Sequence, residues 1–403
     1  VTGVKLHFSE SDLLDWAVAE TIDSDRLRER LRAGETLNVK LGIDPTSPDV
    51  HLGRSIPLWR LRAFQELGHQ IHFIVGNFTA QIGDTSDKES ERPMLSVQQV
   101  AANVAHYMEQ VWMILDPGVQ ENVHVHYNAD WLGTMTLAEL GELADAFSVN
   151  TFIKRELIAK RLELGARVSL REMLYPLMQG YDSLVVAADV ELGGTDQRFN
   201  LLAGRTLQER RGLPPQALIM NPLVAGTDGR KMSSSWGNVI SLRDEPDTMF
   251  GKVMSIPDTL LVEYLHFLPL SAQPFGKAKL TERIKDGENP RDLKAAIASA
   301  LVELYHGPEK AQEAQKSFDG QFTERQPSKE VLVPGACFPL SLLDIADGYA
   351  GWEGSRSELR RVFAAGGVEV DGVKILDPEM TVVTSAVPFV LKVGKRILLR
   401  VVS

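Results

Sequence analysis

The chain has 403 residues, 44% of them hydrophobic and 24% charged, enough for two or three domains with large cores. Its formal net charge of −11 excludes a protein that coats nucleic acid nonspecifically, but not one that binds RNA through a local basic face. No apolar run approaches the roughly 18 residues of a bilayer span, the N-terminus has no signal-peptide pattern, and Cys337 is the only cysteine, so a cytoplasmic protein without membrane contact, disulfide or thiolate metal cluster is expected.

Residues 9–19 and 24–33 read as helices, the second ending at Gly34 with arginines in its last turns. Residues 36–43 alternate polar and apolar, with Val39, Leu41 and Ile43 on one side, which is a strand pattern. Asp44-Pro45 and Ser47-Pro48 break it, and from Leu52 the spacing of Leu58, Leu61, Phe64 and Leu67 is helical as far as Gly68. A helix N-terminus after such a turn offers free N–H groups and positive potential to an anion. His51 is placed there to donate to a phosphate, and Gly53 to let a flat base or sugar approach the backbone. Alone, the stretch reads rather as an ordinary strand-to-helix turn with a surface histidine. Residues 70–76 read as a buried strand, so the unit implies parallel pairing in a Rossmann-like layout.

Residues 78–93, with Gly83, Asp84, Lys88 and Arg92, form either a ligand loop or a solvated connection. Residues 123–127 are a further strand, and 137–147, 151–164 and 170–184 are helical by spacing, an insertion between sheet strands. The last helix carries Tyr175, Gln179 and Asp182 on one face, lining a small polar pocket or forming an exposed stripe. A strand over 189–192 leads into Gly193-Gly194-Thr195-Asp196-Gln197 and a helix to about Arg211; Asp196 is either its cap or a carboxylate for a ribose. Residues 217–221 are a last strand. Beyond it, Asp228-Gly229-Arg230-Lys231-Met232-Ser233-Ser234-Ser235 has the composition of a mobile phosphate clamp, or of a solvated basic loop.

After about Leu242 the pattern is helical only, over 248–254, 260–267, 291–304 and 309–318, followed by a linker over 319–335. The rest is small and mixed. It has a helix at 339–348, a second at 355–365 with Arg356, Arg360 and Arg361, a hairpin turning at Asp371-Gly372, and two strands around Gly394. A basic helix beside a small sheet suits RNA phosphates, or is a structural appendage.

In this order, His51-Leu52-Gly53-Arg54 and Lys231-Met232-Ser233-Ser234-Ser235 resemble the paired ATP-binding motifs of class I aminoacyl-tRNA synthetases, written HIGH and KMSKS. Together with Asp44-Pro45-Thr46, Gly83-Asp84, the Tyr175/Gln179/Asp182 face and Gly193 to Gln197, the set is similar to tyrosyl-tRNA synthetases. Asn289-Pro290-Arg291-Asp292-Leu293-Lys294 and the small C-terminal part are similar to the bacterial forms, so the resemblance covers essentially the whole chain. It implies an α/β fold: a Rossmann-like parallel-sheet catalytic domain over 1–242 with a helical insertion at about 132–187, an all-helical anticodon-binding domain over 243–322, a linker over 323–336 and a small α+β RNA-binding domain over 337–403.

The resemblance also implies a reaction. Tyrosine is activated with ATP, accompanied by Mg²⁺ that needs no dedicated protein site, and then passed to tRNA(Tyr). By the match, Thr46, His51, Lys231, Lys88 and Arg92 act on the phosphates. Gly42, Asp44, Gly53, Arg54, Asp196, Arg230, Met232, Ser233, Ser234 and Ser235 bind ATP. Asp84, Tyr175 and Gln179 hold the tyrosine ammonium, Gln197 lies near its carboxylate, and Asp182 accepts from the phenol. Arg356, Arg360 and Arg361 contact tRNA, and a homodimer forms through the helical insertion.

Three positions depart from the family pattern. Lys40 stands where many members have tyrosine, and is expected to donate to the substrate hydroxyl or to pair with Asp182. Arg54 replaces the second histidine of the first motif. Ser234 replaces the second lysine of the other, with Arg230 expected to compensate. Competing readings are a tryptophanyl-tRNA synthetase, disfavoured by Tyr175, Gln179 and Asp182; a nucleotidylyltransferase, which leaves the Lys231 loop unexplained; and a non-catalytic RNA-binding relative.

Overall fold

The computed structural model describes residues 6–84, 94–116, 120–322, 330–350, 352, 354–383, 386–394 and 397–402. By Cα proximity the chain divides into two compact units, Val1–Gln312 and Glu313–Ser403.

The first unit is built on six strands: β1 (Glu20–Ile22), β2 (Asn38–Ile43), β3 (Gln70–Val75), β4 (Val123–Tyr127), β5 (Val190–Gly194) and β6 (Ala217–Asn221). Their order is β1-β6-β5-β2-β3-β4, and all neighbours are parallel except the β1–β6 edge pair. The chain therefore leaves β2 towards β3 on one side and returns to β5 on the other. In open parallel sheets ligands settle at the carboxyl ends of strands at such a reversal. The four inner strands β2, β3, β5 and β6 are largely apolar because both faces are covered: Val39, Leu41, Ile71, Phe73, Val190, Leu192, Leu218 and Ile219 are all buried.

The helix Leu52–Glu66 follows β2, lies against β2, β3 and β5, and is enclosed on most sides, with Ile56, Leu58, Trp59, Leu61 and Phe64 all buried. At about 1.5–3 kcal/mol per large apolar side chain, that burial secures its position. The segment before β1 departs from the expected helix over 9–19. Only Glu10–Leu14 is helical, and Ala17 has φ +46. The carbonyls released by this early stop are taken by Arg60, wholly buried, which donates to Leu13, Trp16 and Ala17. The freed chain then pairs as β1 with β6.

A helix over Val97–Val111, capped by Ser96 and Gln99, fills a stretch for which no element is expected. The expected helix over 151–164 is two, Val149–Ile153 and Glu156–Glu163. The break falls at Lys154-Arg155, where the Arg155 guanidinium sits 4.6 Å over the Phe199 ring, a tertiary contact that outweighs helix continuity. The Leu170–Val185 and Arg198–Arg210 helices follow as expected and lie against each other. Downstream, Pro246–Met254 packs on Pro290–His306. Tyr305 of the latter accepts from Trp59 Nε1 at 2.9 Å, tying the helical segment to the helix that follows β2.

Among its described residues the second unit contains a five-stranded sheet, a two-stranded sheet, the end of the helix Pro308–Phe322 and the helices Leu342–Gly348 and Arg356–Ala364. Its strands are β7 (Glu330–Leu332), β8 (Leu340–Ser341), β9 (Val368–Val370), β10 (Val373–Lys374), β11 (Thr381–Val382), β12 (Phe389–Val393) and β13 (Ile397–Val402). The larger sheet has the order β10-β9-β12-β13-β7, and β11 pairs with β8. The Asp371-Gly372 turn has φ +48 and +82, the left-handed pair that a two-residue hairpin needs. β7 falls within the stretch expected to be a linker: it pairs in parallel with β13 because Val331 has an apolar core to pack against. No helix among the described residues is long and apolar enough to cross a membrane.

Candidate active site

A cavity of about 570 Å³ opens at the carboxyl ends of β2, β5 and β6, where the strand order reverses. The expected residues Gly42, Asp44, Thr46, His51, Gly53, Arg54, Asp84, Tyr175, Gln179, Asp196, Gln197, Lys231, Met232, Ser233 and Ser234 all line it. Lys88 and Arg92 lie outside the described residues, as does the side chain of Ser235.

One end is cationic and rich in hydroxyls. His51 caps the Leu52–Glu66 helix, and its backbone bridges to Ser241. Burial, then the nearby Arg54 and Lys231, push its imidazole down to about 3, so it is neutral at physiological pH. Its Nδ1 is buried without a partner, as is Nη1 of Arg54 one turn on, so two nitrogens of the first motif are held for something outside the protein. A Cβ on Gly53 would stand 3.1 Å from the His51 ring and 3.1 Å from Val224, so glycine preserves this close approach. Lys231 Nζ meets Asp196 Oδ2 at 3.1 Å across the cavity. Arg230 is not among the lining residues: its guanidinium binds Asp228 and stacks 4.9 Å from the Trp236 ring. This local pairing leaves the expected compensation for Ser234 without structural support.

The other end is a hydrogen-bonded carboxylate cluster. Tyr175 Oη donates to Asp44 Oδ2 at 2.9 Å, and Thr79 Oγ1 donates to Asp44 Oδ1 at 2.7 Å. Burial, and then the Asp44 and Asp84 charges, hold the Tyr175 phenol well above its ordinary value, so it stays a neutral donor. Asp84 Oδ2 accepts from Gln197 Nε2 at 2.7 Å, and Gln197 Oε1 accepts from Asn200.

Asp182 is not among the lining residues. It is 3% exposed, and accepts from Trp131 Nε1 at 2.8 Å and, weakly, from Asn128 Nδ2 at 3.4 Å. Burial raises its carboxyl to about 6, with Lys40, Trp131 and Asn128 pulling back in part. A carboxylate accepts about four bonds, so two lone pairs remain for a ligand.

Lys40 fulfils neither of its expected alternatives. Its ammonium has three protons, and three acceptors take them: Gln179 O, Ser183 Oγ and Glu191 Oε1, each at 2.8 Å. None is left for a substrate hydroxyl, and the ion-pair partner is Glu191 rather than Asp182.

Sequence reasoning missed Glu191, Thr79, Asn128 and Trp131. Thr79 and Asn128 follow the carboxyl ends of β3 and β4, which is itself a signal in a parallel sheet. Glu191 and Lys40 are lone charges inside apolar strands, a signal for a buried pair.

The family model for class I tRNA synthetases (W and Y) matches residues 32–323. The chain is 42% identical to a tyrosine–tRNA ligase of Carboxydothermus hydrogenoformans, with 97% of each chain covered. It is 40% identical to one of Thermotoga maritima, with 94% of each covered. Among solved structures, the tyrosyl-tRNA synthetase of Archaeoglobus fulgidus complexed with L-tyrosine has a TM-score of 0.60 at 22% identity, over 75% of this chain and 98% of that one. A C-terminally truncated mitochondrial tyrosyl-tRNA synthetase of Coccidioides posadasii has a TM-score of 0.61 at 22% identity, over 76% and 89%. At this identity the two structures speak for the fold alone.

Proposed function

The chain belongs to the tyrosine–tRNA ligases of class I, and we infer from that premise that it joins L-tyrosine to tRNA(Tyr) at the cavity between β2 and β5. The tyrosine carboxylate attacks the α-phosphorus of ATP and pyrophosphate leaves. The terminal adenosine hydroxyl of tRNA then attacks the tyrosyl carbonyl carbon and AMP leaves. No side chain acts as nucleophile in this scheme. The protein aligns the reactants and stabilises the charge that grows on the phosphates.

The observation that carries the reading is one cavity with two unlike ends. The end with His51, Arg54, Lys231, Ser233 and Ser234 suits a triphosphate, with Thr46 beside it and Mg²⁺ carried in by the nucleotide. Neutral His51 donates one N–H, and Arg54 and Lys231 supply charge. Asp196 exchanges Lys231 for the ribose when ATP enters. The end with Asp84, Tyr175 and Gln179 suits an ammonium, and Asp182, buried on the same helix as Tyr175 and Gln179, is read as the acceptor for the phenol. An acceptor left unpaired by phenylalanine is costly, and tyrosyl-tRNA synthetase is itself the standard example of that discrimination.

In the second unit Arg356, Arg360 and Arg361 are assigned to tRNA phosphates. Each already meets an acidic neighbour, Asp344, Glu379 and Glu358 respectively, which the phosphates would have to displace. The segments 243–322 and 337–403 are read as the anticodon-binding and C-terminal RNA-binding parts, joined through 323–336. Homodimerisation through the insertion is supported by exposed Leu137, Val149, Leu164 and Leu170. A cytoplasmic location fits this role.

Charging of a tRNA(Tyr) transcript is the test. Tyrosine should be esterified and tryptophan should not. Charging of tRNA(Trp) with tryptophan would favour the sister specificity on the same fold.

A further inference from the structure

We propose that Glu191, paired with Lys40, is a positioning residue that fixes which end of the Gln179 amide faces the amino-acid substrate. The proposal rests on the reading of Gln179 as a partner of the tyrosine ammonium.

Lys40 and Glu191 are direct neighbours in the β2–β5 register, so their side chains leave the sheet on the same face. Both are sealed in, at 0% and 1% exposed, and neither lines the cavity. The Leu170–Val185 helix brings Gln179 and Ser183 to them from successive turns. The pair then grips residue 179 twice. Lys40 Nζ donates to its backbone carbonyl at 2.8 Å, and its side-chain Nε2 donates to Glu191 Oε1 at 3.2 Å. The other carboxylate oxygen of Glu191 accepts from Ser183 Oγ at 3.2 Å and from Gln216 Nε2.

The polarity follows from the chemistry of the partner. A carboxylate only accepts, so the amide must turn its NH₂ end to Glu191. The end left for the cavity, which Gln179 lines, is the carbonyl oxygen. That oxygen is what a substrate ammonium requires; the reversed amide would present N–H to a cation. A buried ion pair with no contact to substrate thus sets the sign of a substrate contact.

The network is closed from the far side by glycine. A Cβ on Gly204 would stand 2.6 Å from Gln216 Nε2 and 2.9 Å from Ser183 Oγ, and one on Gly180 would stand 3.1 Å from the Gly204 backbone nitrogen. The two helices can approach closely enough to enclose the pair only with both glycines.

The test compares two ligands in the full-length protein. L-tyrosine and 3-(4-hydroxyphenyl)propanoate, which lacks the amino group, are measured as substrate and competitive inhibitor of tyrosine-dependent ATP–pyrophosphate exchange. The wild type should favour tyrosine by about tenfold or more, the scale of a charge-assisted hydrogen bond. Glu191→Met alone would strand a buried ammonium, so the informative variant is Lys40→Met/Glu191→Met, because apolar replacement of a whole buried pair is commonly tolerated. In it the preference for tyrosine should fall by about tenfold while the KM for ATP stays within about threefold. Gln179→Met should lower the preference by the same factor, and should cost nothing further when added to the double variant. A double variant that folds and keeps the wild-type preference, or that weakens both ligands equally, overturns the proposal. If Gln179→Met itself leaves the preference intact, the reading of Gln179 fails instead.

Discussion

Asp182→Asn should make the ligand-free protein more stable at neutral pH while impairing tyrosine activation. Burial is the main reason the Asp182 carboxyl stands at about 6 rather than 3.8, with Lys40, Trp131 and Asn128 offsetting only part of it. The folded chain therefore binds this proton more tightly than the unfolded chain. The stability that it contributes is fully present below pH about 4 and is lost as pH rises through about 6. That interval corresponds to roughly 3 kcal/mol. Asparagine does not titrate. It keeps an oxygen for Trp131 Nε1 and loses at most the long contact from Asn128, about 1 kcal/mol. The net gain at pH 7.5 is then about 2 kcal/mol, seen as a rise of roughly 2–4 °C in the melting transition of the first unit. Calorimetric scans of both proteins from pH 4 to 8 would measure it. Where Asp182 is protonated in both the folded and the unfolded chain, the variant should be the less stable of the two proteins by up to about 1 kcal/mol. The melting temperatures should cross between pH 4 and 6, and the variant's advantage should then stay constant at higher pH. A difference independent of pH, or one that turns against the variant as pH rises, would refute the assignment of burial as the dominant cause. The same substitution should lower kcat/KM for tyrosine by about 100-fold, since the phenol loses a charged acceptor.

Lys231→Met should reduce ATP–pyrophosphate exchange by about 100-fold or more with little change in tyrosine affinity, measured by equilibrium binding without nucleotide, because Lys231 lies at the phosphate end of the cavity. His51 stands at about 3, so the exchange rate should show no inflection from this group between pH 5 and 8, and His51→Gln should leave the shape of that pH profile unchanged while lowering its height. Arg60→Leu strands the carbonyls of Leu13, Trp16 and Ala17 and should cost about 3 kcal/mol, read as a lower melting temperature with β1 the first segment to exchange its amides.

Local sequence signals carried much of the fold. The alternation over 36–43, the paired Asp-Pro and Ser-Pro breaks and the helical spacing after Leu52 each depend on nearby residues, and the structure follows them. So does the left-handed turn at Asp371-Gly372. The capping pair Ser96/Gln99 is an equally local signal for the helix Val97–Val111 that follows it. What local pattern does not carry is pairing across distance. β1 is three residues long and exists because Arg60 ends the preceding helix and β6 offers a free edge. The break at Arg155 is decided by Phe199, and β7 by the apolar core beneath the second sheet.

The site divides along the same line. Residues on one motif or one helix face, such as His51 to Arg54 or Tyr175 and Gln179, were legible and meet in one cavity. Lys40 was noticed as a departure from the family pattern, but its partner was not, because Glu191 lies on another strand, 151 residues further along the chain. Asp182 shares the helix Leu170–Val185 with Tyr175, as the spacing implies. Its burial, which raises its carboxyl to about 6 against the pull of Lys40, Trp131 and Asn128, is visible only in three dimensions.

The most direct measurement is amino-acid-dependent ATP–pyrophosphate exchange by the purified protein, with tyrosine, tryptophan and phenylalanine supplied separately. Exchange with tyrosine alone is expected. Exchange driven by tryptophan would contradict the assignment of Tyr175, Gln179 and Asp182, and no exchange with any of the three would mean that Ser234 and Arg54 mark lost chemistry in a chain that only binds RNA.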